Sequence, residues 1–202
     1  MARQIEMTAD NGSNPFATKF IRPGAIPYLF PRGITADSLA TQLQSQQWRG
    51  SIIGPHGSGK SSLLTALTPH WEALGRVVVR QQLHGGQRAL DWKSLHVRQW
   101  TNRTLVIIDG YEQLSSWQRF LLAVRCYLRG AGLLVTAHGP VGLPAIFTTK
   151  PSLELALGIV QQLLPESDDR ITPADVAQAY TAQHGDLREM LLRLYDVFRA
   201  RE

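Results

Sequence analysis

Nine residues at positions 54–62, GPHGSGKSS, combine the types that hold a phosphate. Gly54, Gly57 and Gly59 permit positive φ and a close backbone approach to an anion. The N–H groups of Pro55-His56-Gly57-Ser58-Gly59-Lys60-Ser61-Ser62, proline excepted, can then point inward as a nest. A helix N-terminus adds its partial positive charge. Lys60 supplies a cation for the outer phosphates, and the Ser61 hydroxyl suits a Mg²⁺ ion. Gly54, Gly59, Lys60 and Ser61 satisfy G-x-x-x-x-G-K-[ST], the spacing this chemistry requires. His56 has no assigned role within it.

A second group of residues could complete a reaction on the bound phosphate. The run TLVIID, residues 104–109, ends four apolar residues on Asp109. A strand of this kind is covered on both faces, as in a parallel sheet. A carboxylate at its C-terminal end falls where open α/β sheets bind ligands, and there it would bind Mg²⁺ through water or the Ser61 hydroxyl. Glu112 is the one acid near Asp109 able to polarise an attacking water, and it equally suits the first turn of a following helix. Thr136 and His138 close the next apolar run, LLVTAH, within reach of a terminal phosphate or its water.

These groups need strands and helices to position them. Ser51-Ile52-Ile53 precedes the loop as a strand, and Ser62 to Leu67 follows it as a helix that Pro69 ends or kinks. Thr35 to Trp48 reads as a helix with Thr35 as N-cap and Ser38 at N3. Arg76–Gln81, Thr104–Asp109, Leu133–Ala137 and Ala145–Thr149 are the further strands. Asp91–Trp100 is expected to be helical. So is 114–129, where Trp117, Phe120, Leu121, Val124 and Leu128 form a stripe to bury. Residues 14–33 hold four prolines among aromatics and are expected to pack irregularly on the domain. From Pro151 onward only helices are expected. Thr172-Pro173 and Asp186 mark two starts, and Leu187, Leu191, Leu194 and Phe198 mark one stripe. The expected organisation is a tail at 1–13, an α/β core at 14–149 with a mostly parallel five-stranded sheet, and a helical subdomain at 150–202.

Composition bounds the rest. A chain of 202 residues, 44% hydrophobic and 18% charged, supports one sizeable core with a small appendage. The single cysteine, Cys126, excludes an internal disulfide and fits a reducing compartment. No apolar run reaches the roughly 20 residues of a membrane span. The opening residues contain no signal-peptide core, so a cytoplasmic location is expected. Residues 1–103 carry 12 Lys and Arg against 5 Asp and Glu, and residues 104–202 carry 9 against 11. The basic half leaves DNA open as a partner, although no dense basic run or base-stacking motif supports it.

With its loop and TLVIID, the chain resembles the AAA+ and STAND branch of P-loop ATPases. It is most similar to the compact ATPases of transposition, of secretion accessory proteins and of origin recognition. Asn14-Pro15-Phe16 resembles their opening N-P-F, the loop resembles Walker A, and TLVIID resembles Walker B. The resemblance implies a three-layer P-loop NTPase core with a C-terminal all-helical lid. It implies ATP and Mg²⁺ as cofactors and Tyr28, with Pro27 and Leu29, over the adenine. It also puts Thr136 at sensor 1. Gly185-Asp186-Leu187-Arg188 resembles the lid motif whose arginine, here Arg188, reaches the γ-phosphate. No N-K-x-D occurs, so ATP is expected over GTP. The acid following Asp109 is displaced to Glu112, and His138 to Ala145 contains no arginine. An arginine finger is worth about 10³–10⁵ in rate, so slow hydrolysis without an obligate ring is expected; the oligomeric state stays open. Lys60, Glu112, Thr136 and Arg188 are then the catalytic candidates. The expected function is a nucleotide-driven switch for a protein partner. A DNA-engaging ATPase and a non-hydrolysing ATP-binding regulatory module are the alternatives.

Overall fold

The computed structural model describes residues 14–165 and 168–201; the tail expected at 1–13 lies outside them. The helices are α1 (Thr18–Ile21), α2 (Ala36–Ser45), α3 (Lys60–Ala73), α4 (Ser116–Arg129), α5 (Leu153–Leu163), α6 (Pro173–Ala182) and α7 (Leu187–Arg199). The strands are β1 (Arg49–Ile53), β2 (Val77–Gln82), β3 (Thr104–Asp109), β4 (Gly132–Ala137) and β5 (Ala145–Thr148). The chain divides into two compact units, Pro27–Lys150 and the remainder.

The first unit is a three-layer α/β structure. Its five strands are all parallel and ordered β2-β3-β4-β1-β5. Every residue of β3 and β4 is buried, as their continuous apolar runs require when both faces are covered. Alternation then divides β3 between two cores. Leu105 and Ile107 pack with Leu39, Leu43, Leu63 and Leu67 of α2 and α3. Val106 and Ile108 pack with Leu122 and Cys126 of α4. The connection from β1 runs to one sheet edge and the later connections return, so right-handed crossovers place α3 and α4 on opposite faces. The carboxyl ends of β1, β3 and β4 meet where that direction reverses, the position that binds ligands in such sheets.

Three expectations about this unit change. Helix α3 continues through Pro69, whose missing N–H removes only the bond to the Thr65 carbonyl. Buried Leu63, Leu64 and Leu67 before it and Trp71 after it hold the helix to the core. Residues 91–100 do not form an α-helix. The Asp91 carboxylate accepts from the Lys93 and Ser94 N–H groups, and His96 turns left-handed at φ 48°, leaving one 3-10 turn at Val97–Gln99. Helix α4 buries Leu122 and Cys126, whereas Trp117, Phe120 and Leu128 of its expected core stripe are exposed and Leu121 and Val124 are half-buried. Two apolar faces compete on this helix, and the narrow i, i+4 pair fits the sheet.

The second unit packs residues 14–26 with α5, α6 and α7, so the opening N-P-F belongs with the helices and not with the sheet. Phe16 is fully buried and meets Phe198 edge-on at 5.9 Å. The Asn14 side chain donates to the Tyr195 carbonyl at 2.9 Å and accepts from the Phe16 N–H at 2.9 Å. Thr172 and Asp175 form a capping box on α6 behind Pro173, and Asp186 caps α7. Leu187, Leu191, Leu194 and Phe198 are buried. No helix among the described residues is long and apolar enough to cross a membrane.

Candidate functional site

Helix α3 begins differently from the other long helices. Among the described residues, α2, α4, α5, α6 and α7 each start on a side-chain cap from Thr35, Ser115, Ser152, Thr172 and Asp186. Helix α3 starts on Gly59, at φ 87°, with no side-chain cap. Its first-turn N–H groups have no intrahelical partner either. An N-terminus of this kind, at the end of a glycine loop, presents donors and a positive dipole to an anion.

The loop before it is held by its own flanks. The Gly54 N–H donates to the Ala137 carbonyl of β4 at 3.1 Å. Ser58 is buried, and its hydroxyl donates to the Pro55 carbonyl at 2.8 Å and lies 2.6 Å from the Thr149 hydroxyl. Thr149 follows β5 and is itself buried, so it braces the loop from the neighbouring strand. Gly54 is required by contact: a Cβ there would lie 1.8 Å from the Thr149 Oγ1 and 2.9 Å from the Thr149 carbonyl. The Lys60 ammonium donates to the Gly54 and Pro55 carbonyls at 2.7 and 2.6 Å, folded over the loop.

Asp109 is the electrostatic centre. It is buried at the end of β3 and accepts three strong hydrogen bonds. The Ser61 hydroxyl donates to Oδ2 at 2.8 Å, the Arg80 guanidinium to Oδ2 at 2.7 Å, and the Thr136 hydroxyl to Oδ1 at 2.7 Å. Register explains the last: Ile108 pairs with Val135, which sets Asp109 beside Thr136. Thr136 is fully buried and also accepts the Gly110 N–H at 2.9 Å, so its hydroxyl orients Asp109 and the backbone after it.

Residues for a Mg²⁺ ion are present in a restricted form. Among the described residues, no three His, Cys, Asp or Glu side chains gather as an independent metal site. Mg²⁺ characteristically takes one or two protein oxygens and completes its shell with water and substrate phosphates. Two such oxygens at adjacent corners of an octahedron stand roughly 2.9 Å apart, from bond lengths of about 2.05 Å. Ser61 Oγ and Asp109 Oδ2, 2.8 Å apart, meet that spacing.

Beyond this centre lie Glu112, His138 and His56. Glu112 sits in a 3-10 turn, Tyr111–Gln113, and borders a cleft of about 430 Å³ lined also by Arg88 and Ser115. Its Oε1 is 3.5 Å from His138 Nε2, and among the described residues its buried Oε2 has no donor. The His138 ring meets that of His56 at 6.1 Å, which connects the loop to Glu112. Tyr28 lies on the other side, close enough that a Cβ on Gly59 would stand 3.7 Å from its ring. Burial pushes the Tyr28 hydroxyl up to about 12, so it stays protonated. Arg188 is exposed in the first turn of α7, in the helical unit.

The structure therefore brings Tyr28, the 54–62 loop, Asp109, Glu112, Thr136 and His138 into one unit. Two members were not read from the sequence, Arg80 and Thr149. Arg80 follows the apolar run Val77-Val78-Val79 in edge strand β2 and is half-buried there, and a half-buried charge on a strand is a usable signal for a paired one. Thr149 carries no such signal. Comparison with protein-family models and with curated proteins gave no match for this chain.

Proposed function

We propose that this protein is a P-loop ATPase of AAA+/STAND-like type that binds Mg-ATP at the 54–62 loop and hydrolyses it slowly. In this reading nucleotide exchange drives a conformational switch read by a protein partner. The observation that carries it is the 2.8 Å approach of the Ser61 hydroxyl to Asp109 at the uncapped start of α3. Lys60 adds a cation at the same loop, and ATP is favoured over GTP by the absence of N-K-x-D.

The residues divide the work by position. The Gly57, Ser58, Gly59 and Lys60 N–H groups bind phosphate oxygens, and the Lys60 ammonium exchanges its loop carbonyls for them. Ser61 and Asp109 hold Mg²⁺, which neutralises charge on the phosphates when bound. Arg80 and Thr136 keep the Asp109 carboxylate aimed. Glu112 accepts the proton of the attacking water, with His138 setting the carboxylate's direction. Tyr28 offers a ring for the base, and Arg188 supplies the lid cation.

Phosphate release by the full chain tests this assignment. Release should be Mg²⁺-dependent, slower than about 10 s⁻¹, the median enzyme value, and at least about 100-fold slower in Glu112→Gln. Equal rates in the two proteins would remove Glu112 as base. ATP binding without release would leave the regulatory-module alternative.

A further inference from the structure

Helix α4 turns its larger apolar face away from the sheet. Trp117, Phe120, Tyr127 and Leu128 are 65%, 58%, 78% and 73% exposed, and Leu121 and Val124 lie half-buried beside them. Trp117, Phe120, Leu121, Val124 and Leu128 recur at helical spacing, so they form one stripe along a helix of about 21 Å. Four large side chains left in water on one helix exceed the scattered exposure ordinary to a surface.

The stripe runs into a cavity of about 700 Å³ whose walls include Trp92, Arg98, Arg125, Leu128 and Arg129. The Arg125 guanidinium lies 4.0 Å over the Trp92 ring, which leaves its edge to accept an anion. No Asp or Glu occurs between Asp91 and Asp109, or between Glu112 and Glu154. The surface is thus apolar along its length and basic at its end, and among the described residues no Asp or Glu lines the cavity.

We propose that this face docks an acidic amphipathic helix of a protein partner, its apolar side on Trp117, Phe120 and Val124 and its carboxylates on Arg98, Arg125 and Arg129. Charge selects this occupant. A second copy docked through α4 would bring Arg119, Arg125 and Arg129 of two helices together with no acid on either helix to meet them. A nucleic acid would satisfy the arginines and stack on the exposed rings, but would leave Leu121, Val124 and Leu128 without an apolar counterpart. A bilayer is flat, whereas the basic end of this surface is concave. A helix laid along a groove meets both parts. The docking claim stands apart from the nucleotide reading, because none of these residues belongs to the loop or to Asp109.

Fluorescence anisotropy of the full chain tests the proposal. The probe is a labelled synthetic helix of about five turns with Leu on one face and Glu flanking it. Its counterpart with Lys for Glu, a short single-stranded DNA and phosphatidylserine vesicles are the comparison ligands. Saturable binding of the Glu helix is expected, at least about tenfold weaker after Phe120→Ala with Leu128→Ala. Arg125→Glu with Arg129→Glu should transfer preference to the Lys helix, a reversal that misfolding cannot produce. The proposal is overturned by failure to bind the Glu helix or by unchanged binding in the first variant. It is equally overturned by tighter capture of DNA or vesicles through the same residues, or by a dimer that Phe120→Ala dissociates.

Discussion

Gly54 shows how closely the loop is built. Its hydrogen atom occupies space that Thr149 needs in order to meet Ser58. Gly54→Ala must displace a buried side chain and press on a backbone carbonyl. Overpacking of that kind costs about 1–3 kcal/mol, and the carbonyl contact places this case at the upper end. Urea denaturation should give a loss of at least about 2 kcal/mol; a variant as stable as the parent would contradict the contact. Residue types alone pointed to Lys60, Ser61 and Asp109, because their spacing is local or ends a readable strand. Arg80 reaches Asp109 from β2, and Thr149 reaches Ser58 from beyond β5. Which strands are neighbours is a property of the topology, so those two partners were not legible in the chain.

Among the elements, strands were read best where they are buried on both faces, as in β3, whose bounds match the apolar run. Capped helices were also legible: Thr35 and Thr172 cap the helices they are expected to start, and each forms a reciprocal box, with Ser38 and with Asp175. Periodicity misled on α4, where a wide apolar stripe faces out and a narrow pair faces in. The α6 cap carries a pH dependence of its own. The Arg201 guanidinium, with Thr172 beside it, holds the Asp175 carboxyl well below the ordinary carboxylate range. A folded value below the unfolded one stabilises fully above about pH 4 and loses that contribution as pH falls below it. Arg201→Ala should therefore lower the melting temperature at neutral pH, with a gap that narrows below about pH 4. It should not close completely, since Arg201 also donates to the Arg170 carbonyl. Circular-dichroism melts across that range decide it, and a gap independent of pH would contradict the pairing.

At the scale of the molecule, two units with separate cores divide the chain. The sheet unit carries the loop and its acidic and histidine partners, and the helical unit carries Arg188. The break between the units falls after Lys150, and residues 14–26 join the helices through Phe16 and Asn14. That pairing spans most of the chain, and no local pattern announces it. A nucleotide that binds only the folded sheet unit stabilises it by mass action, by about 2.7 kcal/mol at 100 times its dissociation constant. Titration of the full chain with a fluorescent ATP analogue, with and without Mg²⁺, decides whether the 54–62 loop binds nucleotide. Saturable, Mg²⁺-strengthened binding is expected, displaced better by ATP than by GTP and weakened at least about 100-fold by Lys60→Met, while the variant keeps its circular-dichroism spectrum. Absence of binding at millimolar ATP, or equal binding by Lys60→Met, would contradict nucleotide binding at the loop.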